Sequence, residues 1–420
     1  MSNDVFAAKD TIKGGKLLFL SIAAAMGGFL FGYDTAVING GEQQIQSIWN
    51  LSSLMHGLVM SAALWGTVIG AFAGGKICDR FGRKPTLFIV GVLYFVSAVW
   101  SAVASGPYSL MIARFVGGVG VGVSSIAAPV YISEISPAES RGRLCALFQF
   151  NIVIGMVVSQ VVNWFIGSAD FGDATWRWML GAEALPALAF TLICPFLVES
   201  PRYIAMRDGS AVVEATSGGF FSRRNLRPIL LAFCVAMFNQ LSGICAVLYF
   251  ARRVFQLAGC TPETALAVTA WLTVLLGLGT FAGLFLIDRI GRRQMLILGG
   301  IGYLVSLFGC AAAFILGWNV IAAACIFLFI FSHAVGQGTV IWVFISEVFP
   351  QKFRAQGQSF GSFTHWMFCA TLTFVFPLMT ARMPTWSIFA LFGLFMVFHM
   401  FWAVLIVPET KGKTLEEIKL

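Results

Sequence analysis

Along most of the chain, apolar residues run nearly unbroken for twenty positions or more, and charged residues gather in the short stretches between. Such runs match the ~20 apolar residues that a helix needs to cross a bilayer. They predict twelve helical spans near 17–39, 54–77, 86–105, 109–133, 147–167, 178–198, 227–250, 264–287, 294–317, 319–345, 358–380 and 385–407. The first run follows Lys9, Lys13 and Lys16 and contains Ala23-Ala24-Ala25, as a secretory leader might be built. It continues to Asn39, well past a leader's apolar region of about 7–15 residues, so it reads as the first span.

Composition strengthens that picture. Of 420 residues, 58% are hydrophobic and 11% charged, and the mean hydropathy is +0.85. A soluble domain carries roughly 25% charge to cover its surface, so a water-soluble globule is excluded. The formal charge of +8 would suggest a nucleic-acid partner in a soluble protein; here it follows the connections between spans. Put the N-terminus and every even-numbered connection on one side, and all basic residues fall there except Arg114, Arg177, Arg252, Arg253 and Arg382. The excess of Lys and Arg on cytoplasmic loops then predicts a multi-pass protein of the cell membrane with both termini inside.

Catalytic chemistry is absent from the pattern. The nine cysteines are scattered, mostly in apolar runs, and read as small packing residues; the four histidines make no metal motif. No phosphate-binding G-x-x-x-x-G-K-[ST] loop exists, which disfavours a primary pump. Gly118-Val119-Gly120-Val121-Gly122 follows no strand, so it reads as close helix packing rather than a dinucleotide site. No enzyme, metal, cofactor or nucleic-acid partner is expected.

The chain also repeats itself. Asp79-Arg80-Phe81-Gly82-Arg83-Lys84 after the second span recurs as Asp288-Arg289-Ile290-Gly291-Arg292-Arg293 after the eighth, about 210 positions later. Ser133-Glu134 with Arg141 recurs as Ser346-Glu347 with Arg354, and Glu199-Ser200-Pro201-Arg202 is echoed by Glu409-Thr410-Lys411. Three motifs in register predict an all-α membrane protein whose twelve transmembrane helices form two pseudo-symmetric six-helix bundles, a parallel repeat found among secondary transporters. The halves are 1–198 and 227–407, with a cytoplasmic linker at 199–226 and a tail at 408–420. Acids at the inner helix ends facing arginines in neighbouring loops are expected to pair and hold the two halves together, breaking when the inner gate opens. These gate residues are Asp79, Arg80, Arg83, Glu134, Arg141, Glu199 and Arg202, with Asp288, Arg289, Arg292, Glu347, Arg354 and Glu409.

Those motifs, with Phe31-Gly32-Tyr33-Asp34, Arg114 before Gly117-Gly118, Asn239-Gln240-Leu241-Ser242-Gly243-Ile244, Trp342 before Glu347 and Pro408-Glu409-Thr410-Lys411-Gly412, resemble the sugar porter family of the major facilitator superfamily over nearly the whole chain. The resemblance implies alternating access and a central monosaccharide site. Side-chain chemistry fits: an amide offers a hydroxyl both donor and acceptor, and Gln149 and Gln240 sit inside apolar spans where an unpaired amide is costly. Each amide alone would equally serve as a helix–helix hydrogen bond. Gly243 would let its helix break near midplane, and Trp342 can stack on a sugar ring. The expected substrate-binding set is Phe31, Gln149, Asn239, Gln240, Cys245, Tyr249, Trp342, His365 and Trp366. In and around this set several positions depart from the family pattern: Cys245 stands where an Asn is usual, Phe250 where a second Tyr is, Leu276 for an Asn, Thr339 for a Pro, and His365 for an amide. Sugar identity therefore does not carry over from the family.

Three ionisable residues fall at membrane depth: Asp34, Arg114 and Glu183. Such residues are costly in lipid and functional by default. Resemblance to bacterial xylose/hexose–proton symporters implies Asp34 as proton carrier, Arg114 as its partner and Glu183 as a modulator. Symport of a sugar and a proton, by a chain functional as a monomer, is the leading expectation. Passive facilitation remains the alternative, with a static Asp34–Arg114 pair; a sugar sensor that moves nothing is a weaker third.

Overall fold

The computed structural model describes residues 14–137, 141–169, 171–208, 219–349 and 353–411. Every regular element among them is helical. Twelve helices are long and apolar enough to cross a membrane: α1 (Gly14–Ile48), α2 (Ser53–Phe81), α3 (Arg83–Ala102), α4 (Pro107–Ile135), α5 (Leu147–Ala169), α6 (Gly172–Phe196), α7 (Leu226–Tyr249), α8 (Pro262–Ile287), α9 (Arg292–Leu316), α10 (Asn319–Val348), α11 (Gln356–Arg382) and α12 (Thr385–Leu405). Their ends fall within a few residues of the predicted spans, with one instructive exception. The polar Gly40-Gly41-Glu42-Gln43-Gln44 stretch reads as loop, yet α1 carries it as helix to Ile48. Its polar side chains find partners on other helices, which the one-dimensional pattern does not show.

Local chemistry sets the boundaries. Ser52 caps α2 by accepting from the Met55 amide, and Thr261 caps α8 by accepting from Thr264, with Pro262 in the first turn. Between α2 and α3 the chain turns at Gly82 (φ 95°), and between α8 and α9 at Gly291 (φ 102°), the same glycine of the repeated motif. Only glycine adopts this backbone without strain. These two turns mark what is called here the loop face; the opposite end is the far face.

Three of the twelve helices are interrupted along their length, α6 at Ala182-Glu183 and two others. α7 is interrupted at Ser242-Gly243, where Gly243 has φ 89° and the Phe392 ring lies against it. α10 opens into a π turn over Ala334–Gly338, a feature that frequents functional sites. The expected break at Gly243 is therefore present.

Within the first half α4 packs on α2 and α3, and α1 packs on α5. A Cβ at Gly118 would meet the Ala63 carbonyl, and one at Gly122 the Thr67 carbonyl, so the glycine run brings two backbones together as small residues do in membranes. Across the halves, α2 lies along α11 and α5 along α8. The apolar core is divided unevenly. Far-face residues of the first half, such as Val37, Ile45, Val59 and Trp176, share one cluster with the second half. Loop-face residues of the first half, such as Leu20, Cys78, Tyr131 and Leu197, form a separate cluster. Apolar packing thus joins the halves at the far face.

Candidate functional site

At the loop face the repeated motifs build the same device twice. Arg83 forks onto Glu134 with both contacts at 2.9 Å, and Arg292 onto Glu347 at 3.0 and 2.8 Å. A second acid caps the following helix. Glu199 Oε1 accepts from the Arg83 amide at 3.0 Å, and Glu409 Oε1 from the Arg292 amide at 2.9 Å. Each carboxylate sits at a helix N-terminus, where backbone N–H groups lack partners and favour negative charge. Hydroxyls complete the match, with Ser200 donating to Glu134 at 2.5 Å and Thr410 to Glu347 at 2.7 Å.

These pairings correct one expectation. The motif residues were to bind the halves to each other, but every described pair closes within its own half. The reason is geometric: Glu134 and Glu347 lie within reach of the arginine of their own half and already fill its fork. Asp79 touches Arg83 at 3.4 Å and is largely exposed. Arg80 lies over the Phe81 ring, and Arg289 offers its carbonyl to Lys411; neither makes an ion pair among the described residues. The side chains of Arg141, Arg202, Asp288 and Arg354, expected in the same clusters, lie outside the described residues.

Midway through the first half, Arg114 of α4 holds α1. Its guanidinium donates to Asp34 Oδ1 at 2.5 Å and to the Asp34 backbone carbonyl at 2.8 Å, both groups fully buried. Glu183, at an irregular turn of α6 between Gly181 and Ala184, stands beside the pair. Asp34 Oδ2 and Glu183 Oε1 accept no hydrogen bond among the described residues. Glu183 thus lies beside an ion pair already formed between Asp34 and Arg114. The Tyr249 hydroxyl, from the second half, reaches Thr35 of α1 next to this cluster.

The second half supplies amides and rings at the same depth. Gln240 Nε2 donates to Asn239 Oδ1 at 3.0 Å and lies 3.2 Å from a His365 ring nitrogen. Gln240 Oε1 and Asn239 Nδ2 are left without partners. Such unpaired buried groups are exceptional and mark a place where a polar ligand fits. Both amides sit just before the break at Gly243, which frees them from a continuous helix face. The Trp342 and Trp366 rings each lie 5.0 Å from His365, and Trp366 meets Phe31 of α1 at 5.5 Å. Seven of the nine expected binding residues are therefore gathered between α1, α7, α10 and α11.

Two are not. Gln149 lies on α5 in an apolar crevice of about 330 Å³ against α8, among Phe150, Val153, Val274, Leu278 and Phe281, and makes no hydrogen bond to the amide cluster. Cys245 is joined to Cys369 of α11 by a disulfide, with Cα atoms 5.8 Å apart. Both cysteines had read as packing residues, and Cys245 as a binding group; instead the bond ties α7 to α11 one turn from His365.

Other buried polar groups escaped the sequence reading. Glu42 Oε1 lies 3.0 Å from His56 Nε2 and 2.9 Å from the Arg253 guanidinium. His333 meets the Tyr303 hydroxyl at 2.6 Å, and the Gln337 amide in the π turn has no partner among the described residues. A signal existed: histidines at positions 56, 333, 365 and 399 all fall inside spans, where any ionisable residue invites a role.

The family model for sugar (and other) transporters matches residues 20–216 and 209–420. A glucose transport protein of Synechocystis sp. is 33% identical over 96% of this chain and 97% of its own length. The D-xylose-proton symporter of Escherichia coli (strain K12) is 30% identical over 95% of this chain and 94% of its own. Among solved structures, the xylose transporter XylE from E. coli in a partially occluded inward open conformation superposes with a TM-score of 0.84 at 28% identity, covering 96% of this chain and all of that one.

Proposed function

The chain belongs to the sugar transporter family, and from that premise we propose that it imports a monosaccharide, a hexose or a pentose, together with a proton by alternating access. It is a multi-pass membrane transporter of sugar and not an enzyme. The observation that carries the coupling is the buried Asp34–Arg114 pair with Glu183 beside it, set next to the amide and ring cluster and touched by Tyr249 from the other half.

On this reading the loop face is cytoplasmic, as its Lys and Arg content supports, and both termini lie inside. The far face is then extracellular and closed, and the molecule is inward-facing, as is the similar XylE structure. Sugar hydroxyls take up the free Gln240 and Asn239 groups, while Trp342, Trp366 and Phe31 face the ring's apolar surface. The departure at His365, set between Gln240, Trp342 and Trp366, shapes that pocket and bears on which sugar fits. A proton arriving at Asp34 cancels the charge that holds Arg114, leaving it hydrogen bonds to neutral acceptors such as the Asp34 backbone carbonyl. Sugar and proton thus loosen and tighten the same region between α1, α4 and α7. One chain contains all these groups, so the working unit is a monomer.

The driving force is sufficient. A proton crossing ~100 mV supplies about 2.3 kcal/mol and one pH unit roughly 1.4 kcal/mol, enough for sugar accumulation of about 50- to 400-fold. Uptake of labelled pentoses and hexoses into proteoliposomes tests the proposal. An imposed inward proton gradient is expected to drive at least one sugar above its equilibrium level. Equilibration unaffected by the gradient would make the protein a passive facilitator.

A further inference from the structure

The far face is held shut by charge as well as by apolar packing. Glu42 of α1 is fully buried, and one of its oxygens meets two side chains, the His56 imidazole of α2 at 3.0 Å and the Arg253 guanidinium at 2.9 Å. His56 belongs to the same half as Glu42; Arg253 lies in the short helix Ala251–Leu257 that continues α7 in the other half. Further polar contacts cross at this level. Gln43 donates to Gln256 at 2.6 Å, and the Arg252 guanidinium to the Gly40 carbonyl at 3.1 Å, while Arg253 also reaches Gln46. Every described ion pair at the loop face stays within one half, so the Glu42–Arg253 contact is the described ion pair that joins the halves.

We propose that Glu42 is the charge lock of the outer closure, and that parting Arg253 from it is the step that opens the central site to the outside. This rests on the transport reading above. His56 gives the lock its direction of release. When the halves separate, Glu42 keeps a partner on its own side, and Arg253 moves toward water. The route is short, because Arg253 is 23% exposed and lines an outer cleft of about 530 Å³ with Gln46, Gln256 and Thr380. The carboxylate is also incompletely satisfied: neither oxygen accepts a hydrogen bond in good geometry. A fully satisfied buried pair would be costly to part at each cycle; this one is held mainly by charge. Glu42 acts on transport through helix position, without touching sugar.

Spin labels at Ser47→Cys in the first half and Ala381→Cys in the second, in a background without other reactive thiols, report the outer separation. Glu42→Gln and, independently, Arg253→Gln are each expected to raise the ratio of open to closed separations at least tenfold, the change that ~1.4 kcal/mol produces. Arg253→Lys, which keeps the charge, should stay closed like the unsubstituted lock. Arg253→Gln removes a partly exposed side chain, so it remains informative if Glu42→Gln fails to fold. Unchanged distance distributions in folded Arg253→Gln, with only a lower melting temperature, would overturn the lock and leave a structural contact. Sugar counterflow by the labelled, otherwise unsubstituted protein is measured in parallel. Its absence would count against the transport reading, whereas counterflow with unmoved distances would count against the lock alone.

Discussion

Gln240 concentrates the binding chemistry of the second half in one side chain. Its amide nitrogen is engaged by Asn239 and His365 while its oxygen waits unpaired in a buried place. Gln240→Ala is therefore expected to weaken sugar binding by about 1–3 kcal/mol, roughly 5- to 150-fold in Kd, with folding intact. Calorimetry on purified protein checks this, and unchanged affinity for the preferred sugar would remove Gln240 from the site. At this scale the sequence was legible where a residue type is out of place in its surroundings. An amide in an apolar run, a glycine directly after Gln240-Leu241-Ser242, and a carboxylate and arginine at membrane depth all announced themselves. It was illegible where the role depends on a distant partner. Cys245 and Cys369 are 124 positions apart, and neither spacing nor periodicity links them. Glu42 sits in a glycine- and glutamine-rich stretch that looks like loop, and Arg253 lies in another half of the chain.

Helices in lipid gain no hydrophobic drive from meeting one another, so close backbone approach carries much of their packing. Gly118 and Gly122 let α4 settle on α2, and Gly120 faces the Leu93 side chain at ordinary contact distance. Gly118→Ala should push against the Ala63 carbonyl and lower stability by about 1–3 kcal/mol, the usual cost of overpacking. Gly120→Ala, with room for its methyl and a better helix propensity, should be neutral or slightly stabilising. Thermal unfolding in detergent compares them; equal midpoints for the two variants would show that the glycine run does not set this interface. The loop-face motifs teach a related point about elements. Their repetition is visible in the sequence itself, because identity at a fixed offset needs no geometry. Which acid each arginine takes does need it. Arg83 and Arg292 each take the acid of their own half, Glu134 and Glu347, while Glu199 and Glu409 cap the backbone of the helices they open.

The whole molecule carries three polar sites: capped helix ends at the loop face, the Asp34–Arg114 pair beside the amide and ring cluster at mid-depth, and the Glu42–Arg253 contact at the far face. Apolar packing and the Glu42–Arg253 contact join the halves toward the far face. The claim on which the rest depends is that Asp34 carries the proton that drives this exchange. Asp34→Asn keeps the side chain's size and leaves the Arg114 contact to the residue's backbone carbonyl, but it holds no titratable group. The direct measurement is labelled-sugar flux in proteoliposomes carrying Asp34→Asn, acidified outside, with sugar–sugar counterflow on the same vesicles. The account predicts that accumulation disappears while counterflow persists, because Gln240, Asn239 and Trp342 are untouched. Loss of binding, counterflow and thermal stability together would instead mark a static buried pair, whose broken half is costly. Continued accumulation against the sugar gradient would contradict Asp34 as the carrier.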